Sequence, residues 1–384
     1  MKRITDDWVT EPATQKVCAA LTDAGAQALF VGGCVRNALL NAPTSDIDIA
    51  TDARPERVLE LASQAGLKAI PTGIEHGTVT VVSKGIPHEI TTFRRDVETD
   101  GRRAVVAYSD TVEEDAARRD FTMNALYAQP DGTILDPLGG LRDLTARRVR
   151  FIGHAQDRIR EDYLRSLRYY RFHAWYGDAQ AGFDADALAA IAENLQGLSQ
   201  LSRERVGAEL LKLLAAPDPA PSLAAMRSTG VIAHVLPGAD DRYLAPLVAI
   251  EQDAGAMPDP VRRLAAIAPP DVAGTLRLSR AQMQRLTRMR DEAAGTASVA
   301  ELGYRYGAEG GLHETLLRCA FHEQPWTSDL SDALQKGAAA RFPIKASDLM
   351  PEFSGAALGK KLAQLEARWI ASGFALSHHD LLEK

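Results

Sequence analysis

Short apolar runs alternate with amphipathic stretches through the first 140 or so residues, and clusters of turn residues separate them. Short apolar runs predict strands, and longer stretches with one apolar face predict helices. In chain order the pattern predicts a strand at 28–31, a helix at 34–41, a strand at 46–50, a helix at 55–65, and strands at 78–83 and 88–93 joined by a turn at 84–87.

Leucine and alanine recur with helical periodicity from about residue 155 onward, where strand signals disappear. The expected fold is therefore an α/β N-terminal head, with a small mixed sheet and helices, followed by an all-α region. With 384 residues, of which 46% are hydrophobic, the chain is long enough for two or three domains with ample cores.

Neither a membrane span nor a secretion signal is evident in the sequence. No apolar run approaches the roughly 18 residues of a membrane helix, and the first seven residues lack the apolar core of a signal peptide. We therefore expect a cytoplasmic protein without a membrane partner. Cys18, Cys34 and Cys319 are widely spaced, which argues against a disulfide scaffold or a structural zinc site and predicts three small buried side chains.

Positive charge is concentrated in one segment of an otherwise acidic chain. The formal net charge is -7, yet residues 141–175 contain nine arginines against four acidic residues. Such a basic segment indicates a local binding site for a polyanion.

A glycine pair follows the first predicted strand and precedes a predicted helix. Gly32 and Gly33 let the backbone approach an anion at the helix N-terminus, and Arg36 adds a positive charge there. Turns of this kind are common, so the pattern alone is also compatible with an ordinary strand-to-helix connection.

Two aspartates alternate with two isoleucines in the next predicted strand. Strand side chains point alternately to opposite faces, so Asp46 and Asp48 share one face, and Ile47 and Ile49 share the other. Paired carboxylates suit a hard divalent cation such as Mg²⁺, which keeps substrate phosphates in its coordination shell. The alternative is a solvated strand face, but the glycine turn and the aspartate pair lie within 17 residues, from Gly32 to Asp48.

A third carboxylate lies on the strand predicted at 88–93. Glu89 is out of phase with His88 and Ile90, so it can lie beside the aspartate pair if the two strands are neighbours. The alternative is an exposed glutamate on an edge strand.

A second charged cluster spans residues 118–125. Arg118 and Arg119 can reach phosphates, while Asp120 and Asn124 offer hydrogen-bonding groups to sugar hydroxyls. Alternatively, Asp120 caps the helix that follows.

The third cluster repeats charged residues every three positions, at Asp162, Arg165, Arg168 and Arg171. On one helix these residues share a broad face, and the apolar residues Leu164, Leu167 and Phe172 pack on the other side. A solvated salt-bridge face is the alternative, but one acid followed by three arginines leaves a positive row.

Together, the three clusters resemble the class II nucleotidyltransferases, the family of bacterial and eukaryotic CCA-adding enzymes and bacterial poly(A) polymerases. The resemblance runs in order through residues 28–175, and its motifs are Gly32-Gly33-x-x-Arg36, Asp46-x-Asp48, 89–94, 118–122 and Glu161-Asp162-x-x-Arg165-x-x-Arg168. Asn37 departs from the aspartate that the family commonly has after the arginine, which puts one local hydrogen bond in doubt. Residues 342–350 and 357–359 resemble the family's tail domain.

The resemblance implies a nucleoside triphosphate bound between a head and a neck, followed by a body and a tail. We expect the nucleotidyltransferase head at 1–150, the neck at 151–215, the helical body at 216–335 and the tail at 336–384.

The resemblance also implies a role for each candidate residue. The triphosphate would be held by Gly32, Gly33 and Arg36, and Mg²⁺ would be carried by Asp46 and Asp48, with Glu89 completing the catalytic set. Sugar and phosphates would be contacted by Arg119, Arg168 and Arg171, with Asp120 and Asn124 also in the nucleotide site.

Asp162 and Arg165 would read the base. The carboxylate accepts from the exocyclic amine of cytosine or adenine, and the guanidinium donates to the neighbouring ring acceptor, whereas guanine and uracil present the reversed pattern. The RNA 3′-hydroxyl would then attack the α-phosphate, with one metal activating the hydroxyl and the other shielding the pyrophosphate.

The implied reaction is addition of CCA to the tRNA 3′ end from CTP and ATP, with poly(A) synthesis and partial CC or A addition as alternatives within the family. Residues 94–115 resemble the family's complete flexible loop, which favours full CCA addition. Two other classes remain open. A non-catalytic RNA-binding protein would not need the three carboxylates, and a small-molecule nucleotidyltransferase would not need an arginine-rich neck.

Overall fold

A mixed β-sheet organises the N-terminal part of the chain in the computed structural model, which describes residues 2–44, 46–96 and 106–383. The strands are β1 (Leu29–Val31), β2 (Ile47–Thr51), β3 (Lys68–Gly73), β4 (Thr78–Ser83), β5 (Ile86–Thr92), β6 (Arg94–Asp96), β7 (Val106–Tyr108), β8 (Tyr127–Ala128) and β9 (Ile134–Leu135). Seven of them form one sheet in the order β3-β4-β5-β2-β1-β8-β9, and β6 pairs with β7 separately. The β2–β5 pair is parallel, and the other pairs are antiparallel.

Helices accompany the sheet and then make up the rest of the described chain. Those up to residue 235 are α1 (Asp7–Thr10), α2 (Pro12–Thr22), α3 (Gly33–Leu39), α4 (Pro55–Gln64), α5 (Val112–Ala117), α6 (Gly140–Thr145), α7 (Ala155–Glu161), α8 (Leu164–Tyr176), α9 (Ala185–Glu193), α10 (Arg203–Leu214), α11 (Ala220–Ser228) and α12 (Val231–Val235). Beyond them lie α13 (Leu244–Asp253), α14 (Pro260–Ile267), α15 (Arg280–Ala294), α16 (Val299–Phe321), α17 (Ser328–Ala339), α18 (Gly355–Ala371) and α19 (His378–Leu382).

The strands and helices predicted in the first 93 residues are all present. The turn between β4 and β5 is shorter than predicted, because Lys84 and Gly85 both adopt positive φ angles of 47° and 84°. Two such residues close a tight hairpin, so β5 already begins at Ile86. The sequence analysis missed β3, which is mostly exposed and contains Pro71, and it missed the two-residue strands β8 and β9.

The two faces of the central strands differ in what they contact. Helices α2 and α4 pack on β4 and β5, and the buried His88 contributes to this packing through a hydrogen bond of 3.0 Å between its Nε2 and the hydroxyl of Thr14. Ile49 and Ile90 are likewise buried. Because side chains alternate along a strand, the neighbouring carboxylates point to the opposite face.

The described residues form two compact units. The first comprises residues 1–206 and 225–235 and contains the sheet, and the second comprises residues 207–224 and 236–384 and is helical. The predicted fold class, a mixed α/β head followed by an all-α region, is confirmed. The four-part division into head, neck, body and tail stays a prediction.

Three smaller features concern the cysteines, the C-terminal segment and the length of the apolar helices. Cys18, Cys34 and Cys319 are free and buried, as predicted. The C-terminal segment has its own apolar cluster, built from Ile344, Leu349, Leu365, Trp369 and Leu381. Among the helices of the described chain, none is both long enough and apolar enough to cross a membrane.

Candidate nucleotide-binding site

The glycine turn brings the first two sequence clusters together. Gly32 has a φ of +69°, a left-handed conformation that favours glycine, and it lies between β1 and α3. A Cβ at this position would lie 3.5 Å from Nη1 of Arg119 and 3.8 Å from the carbonyl oxygen of Asn124. The glycine turn therefore lies directly beside Arg119 and the backbone of Asn124.

Three carboxylates gather at the centre of the sheet. Asp48 on β2 is the direct register partner of Glu89 on the parallel strand β5. The two strands are therefore neighbours, as the placement of Glu89 beside the aspartates requires. Asp46 is exposed and immediately precedes β2. Burial, followed by the negative charges of Glu89 and Asp46, raises the pKa of Asp48 to about 6, although Arg119 and Arg36 oppose the rise.

These carboxylates fit a divalent cation that prefers oxygen ligands. A cation between them would offset the repulsion that raises the pKa of Asp48. In the described residues, no three acidic, histidine or cysteine side chains already form a metal-binding group. A metal held by Asp46 and Asp48 would therefore complete its shell with water and substrate oxygens, as Mg²⁺ usually does.

The arginine pair is anchored by an aspartate that the sequence analysis did not assign to the site. Asp115, in the first turn of α5, is 1% exposed. Its carboxylate accepts from Nε of Arg118 at 3.0 Å, Nη2 of Arg119 at 2.9 Å and the hydroxyl of Tyr127 at 2.8 Å. Burial would raise the pKa of Asp115, but the two arginines outweigh it and hold the pKa at about 2. Its position three and four residues before two arginines was the available signal.

Asp120 is part of a buried polar network. Its carboxylate accepts from the backbone N–H of Phe121 at 2.8 Å, from Nδ2 of Asn124 at 2.9 Å and from Nε of Arg168 at 2.7 Å. The alternative role of Asp120 as a helix cap is wrong, because the next element is a single 3₁₀ turn at Thr122–Asn124 whose N-cap position is Phe121. Burial opposes ionisation of Asp120, but Arg168 and Asn124 outweigh it and lower the pKa.

Arg36 donates to protein groups. Its guanidinium reaches Oδ1 of Asn124 at 2.6 Å and the hydroxyl of Tyr176 at 2.9 Å, and it lies 4.1 Å from the centre of the Tyr176 ring. The side chain is 7% exposed. Asn37, the departure from the family pattern, keeps a local hydrogen bond by accepting from Nη2 of Arg36 at 2.9 Å. The structure thus places Arg36 between the glycine turn and helix α8.

The third cluster does not lie on one continuous helix. Helix α7 ends at Glu161 and α8 begins at Leu164, and Asp162 between them has extended backbone angles. The expectation of a single helical face is therefore wrong for Asp162, because its carboxylate accepts from the backbone N–H of Leu164 at 3.1 Å and thereby interrupts the helix. The apolar residues Leu164, Leu167 and Phe172 are buried, as predicted.

Arg165 is held in place by backbone carbonyls and by one acid. Its Nη1 donates to the carbonyl of Arg158 at 3.0 Å and pairs with Glu161, while its Nη2 donates to the carbonyl of Arg118 at 3.1 Å. Arg171 lies over the ring of Phe172, 4.6 Å from its centre.

A cavity of about 380 Å³ joins the clusters and is large enough for a small-molecule ligand. The predicted site residues that line it are Asp48, Glu89, Arg119, Asp120, Asp162, Arg165 and Arg168. Further lining residues are Val31, Thr91, Arg94, Arg118, Leu164 and Arg205. Six arginines and four acidic residues in this lining favour an anionic ligand.

The other predicted site residues lie outside this lining, namely Gly32, Gly33, Arg36, Asp46, Asn124 and Arg171. Part of the segment that resembles a flexible loop also cannot be compared, because residues 97–105, with Asp100 and Gly101, lie outside the described residues.

Two segments of the chain match known protein families. Residues 28–150 match the family described as "Poly A polymerase head domain", and residues 182–242 match the family described as "Probable RNA and SrmB- binding site of polymerase A". The human protein named "CCA tRNA nucleotidyltransferase 1, mitochondrial" is 45% identical over 186 residues, which are 48% of this chain and 43% of the relative. A "CCA-adding enzyme" of Geobacillus thermodenitrificans is 42% identical over 216 residues, 56% of this chain and 52% of the relative.

Solved structures extend the similarity along the chain. A crystal structure of the Bacillus stearothermophilus CCA-adding enzyme in complex with CTP is 27% identical, with a TM-score of 0.73, over 94% of this chain and 92% of that one. A Thermotoga maritima CCA-adding enzyme complexed with tRNA shares the fold, with a TM-score of 0.70 at 18% identity over 99% of this chain and 98% of that one. The chain spans about half the length of the curated relatives that it matches. The chain thus contains a segment that matches the poly(A) polymerase head-domain family, and in sequence and fold it is similar to CCA-adding enzymes.

Proposed function

We propose that the protein adds CCA to the 3′ end of tRNA, using CTP and ATP without a nucleic-acid template. One observation supports the proposal most directly: the Asp48–Glu89 carboxylates and the Asp162–Arg165 pair line the same cavity. The first pair suits phosphoryl chemistry, and the second suits recognition of a base edge. The names of the human and Geobacillus relatives agree with this reaction.

The arginines of the cavity would bind the triphosphate. Arg118 and Arg119 are oriented by Asp115, and Arg168 is oriented by Asp120, so their guanidinium groups are fixed before the nucleotide arrives. Fixed cations favour negative charge on the phosphates and on the leaving pyrophosphate without a cost of reorganisation. Gly32, Gly33 and Arg36 would support this site from the turn beside Arg119.

Mg²⁺ is the proposed cofactor, and Asp46 and Asp48 would hold it, with Glu89 beside them. When bound, Mg²⁺ supplies positive charge that activates the RNA 3′-hydroxyl and neutralises the phosphates. The chain's own contribution is to keep carboxylate oxygens on one face of the sheet, next to the arginine-lined cavity.

Selection of the base would rest on Asp162 and Arg165. A carboxylate accepts and a guanidinium donates, which matches the Watson–Crick edges of cytosine and adenine. Uracil and guanine would leave these groups unpaired, and sites that hydrogen-bond their substrate reject such mismatches strongly.

Poly(A) addition is the second candidate, because the N-terminal match is to a poly(A) polymerase head domain and the same site would serve it. Location in the cytoplasm stays a prediction from the sequence.

Substitution of the aspartates tests the chemistry. We expect Asp46→Ala and Asp48→Ala each to abolish nucleotide addition while tRNA affinity is unchanged, because the carboxylates act on the reaction and not on the RNA body. Asp23→Ala, at an exposed position beyond α2, is the matched control and should retain full activity. Activity in both aspartate variants would remove these residues from the mechanism.

A further inference from the structure

Arg205 lines the nucleotide cavity, and 49% of its side chain is exposed. It is in the first turn of α10, and it lines the cavity together with Asp162 and Arg165. Its Nη2 lies 2.7 Å from Oδ2 of Asp162, which is both a hydrogen bond and an ion pair. Arg205 thus contacts the carboxylate that the proposed function assigns to base recognition.

The Asp162 carboxylate is held at both of its oxygens. Oδ1 accepts from the backbone N–H of Leu164 at 3.1 Å, and Oδ2 accepts from Arg205. Two contacts on opposite oxygens fix the plane of the carboxylate, which a single contact would leave free to rotate. Each carboxylate oxygen has two lone pairs, so Oδ2 can still accept from the amine of a base.

Arg165 is fixed in a comparable way by other parts of the first unit. The carbonyls of Arg158 and Arg118 and the carboxylate of Glu161 hold its Nη1 and Nη2 groups. Each member of the proposed base-reading pair therefore has its own supports. Asp162 is supported by a cation, Arg205 on α10, and Arg165 by an anion, Glu161 on α7.

We propose that Arg205 is a positioning residue for base selection: it orients Asp162 so that the pocket accepts cytosine and adenine and rejects uracil and guanine. The inference rests on the proposed function, since it requires Asp162 to contact the base. Discrimination between hydrogen-bonding patterns depends on a fixed acceptor direction, because a rotating carboxylate also tolerates a mismatched edge.

The alternative role for Arg205 is a phosphate contact with tRNA. A phosphate contact would strengthen tRNA binding without affecting the choice of nucleotide, and its loss would reduce the dependence of binding on salt. The geometry favours positioning, because the guanidinium is already paired with Asp162 inside the cavity.

The test compares single-nucleotide incorporation by the full-length protein and by Arg205→Met and Arg205→Lys variants. CTP, ATP, UTP and GTP are supplied separately, and kcat and KM are measured on tRNA transcripts ending in the discriminator base or in CC. In Arg205→Met, we expect KM for CTP and ATP to rise and the preference for CTP over UTP to fall by about tenfold or more, as a misplaced contact group implies. Arg205→Lys should recover part of the preference, because a single ammonium group can make one of the contacts of the guanidinium.

Arg203→Met is the matched control, since Arg203 is exposed on the same turn of α10. It should leave nucleotide preference unchanged, and thermal unfolding of all variants reports whether the fold is intact. Unchanged preference in a folded Arg205→Met protein, with or without weaker tRNA binding, would overturn the inference. If the unsubstituted protein itself showed no preference for CTP and ATP, the proposed function would fail first, and the two failures are thus distinguishable.

Discussion

Replacing Asp48 with asparagine should stabilise the folded protein while abolishing its activity. The pKa of Asp48 rises from 3.8 to about 6 in the fold, chiefly because the group is buried and secondarily because Glu89 and Asp46 repel its charge. A raised carboxyl pKa means that ionisation is harder in the folded state than in the unfolded chain. The ionised group therefore destabilises the fold, and the neutral amide of Asp48→Asn removes that cost.

The magnitude and the sign follow from this shift. Below about pH 3 the carboxyl is mostly protonated in both the folded and the unfolded state, so it contributes almost no difference. The cost appears as the pH rises from about 4 to about 6 and is complete above that range. One pKa unit corresponds to about 1.4 kcal/mol, which sets an upper limit of about 3 kcal/mol. Asp48 is half-buried, so solvent screening reduces the expected gain to about 1–3 kcal/mol.

Thermal or urea unfolding at about pH 3 and about pH 8, in a metal-free buffer with a chelator, measures the effect. Asp48→Asn should be more stable than the unsubstituted protein at the higher pH and equal to it at the lower pH. Added Mg²⁺ should stabilise the unsubstituted protein and not the variant, because the ion binds only the carboxylate-bearing fold. Asp23→Asn removes one exposed charge and serves as the control. A variant that is less stable than the unsubstituted protein at the higher pH would show that the ionised Asp48 carboxylate does not destabilise the fold.

Three further expectations concern other parts of the molecule. Asp115→Asn should raise KM for both CTP and ATP by about tenfold in steady-state kinetics, because the charge that orients Arg119 is lost. KM values equal to those of the unsubstituted protein would contradict this role. Glu251→Ala should lower the free energy of unfolding in urea by about 3–5 kcal/mol, because Arg262 and Arg263, both buried and each within 2.7 Å of the carboxylate, would lose their counter-ion. Retention of stability would show that the two arginines find other acceptors. The logarithm of the affinity for tRNA should fall linearly with the logarithm of the salt concentration, and an affinity independent of salt would argue against phosphate contacts.

The alternation of side chains along strands explains why the carboxylate site was predictable. Asp48 and Glu89 were each placed on a face from their own strands, and only the pairing of β2 with β5 was needed to bring them together. The first strands and helices were equally predictable, because their apolar periodicity agrees with their burial. The strand β3 was not, since its exposed side chains and Pro71 give no such pattern.

Contacts between distant parts of the chain set the limit of prediction. Asp115 and Arg205 look like ordinary charged helix residues, and only the fold shows that one orients the arginine pair and the other reaches Asp162. The break between α7 and α8 was also missed, because a period of three fits a helix that continues through Asp162. The contacts of Arg36 with Tyr176 could not be predicted either, and its role in holding the triphosphate stays a prediction.

The most direct test of the account is extension of tRNA transcripts ending in the discriminator base, in C and in CC. Mg²⁺ is present, and CTP, ATP, GTP and UTP are supplied singly and in pairs. We expect two CMP additions followed by one AMP addition and then termination, with no use of GTP or UTP. Unlimited AMP addition would indicate a poly(A) polymerase, and addition of CC or A alone would indicate a partial activity. Absence of any incorporation would contradict the proposal that this site catalyses nucleotide addition.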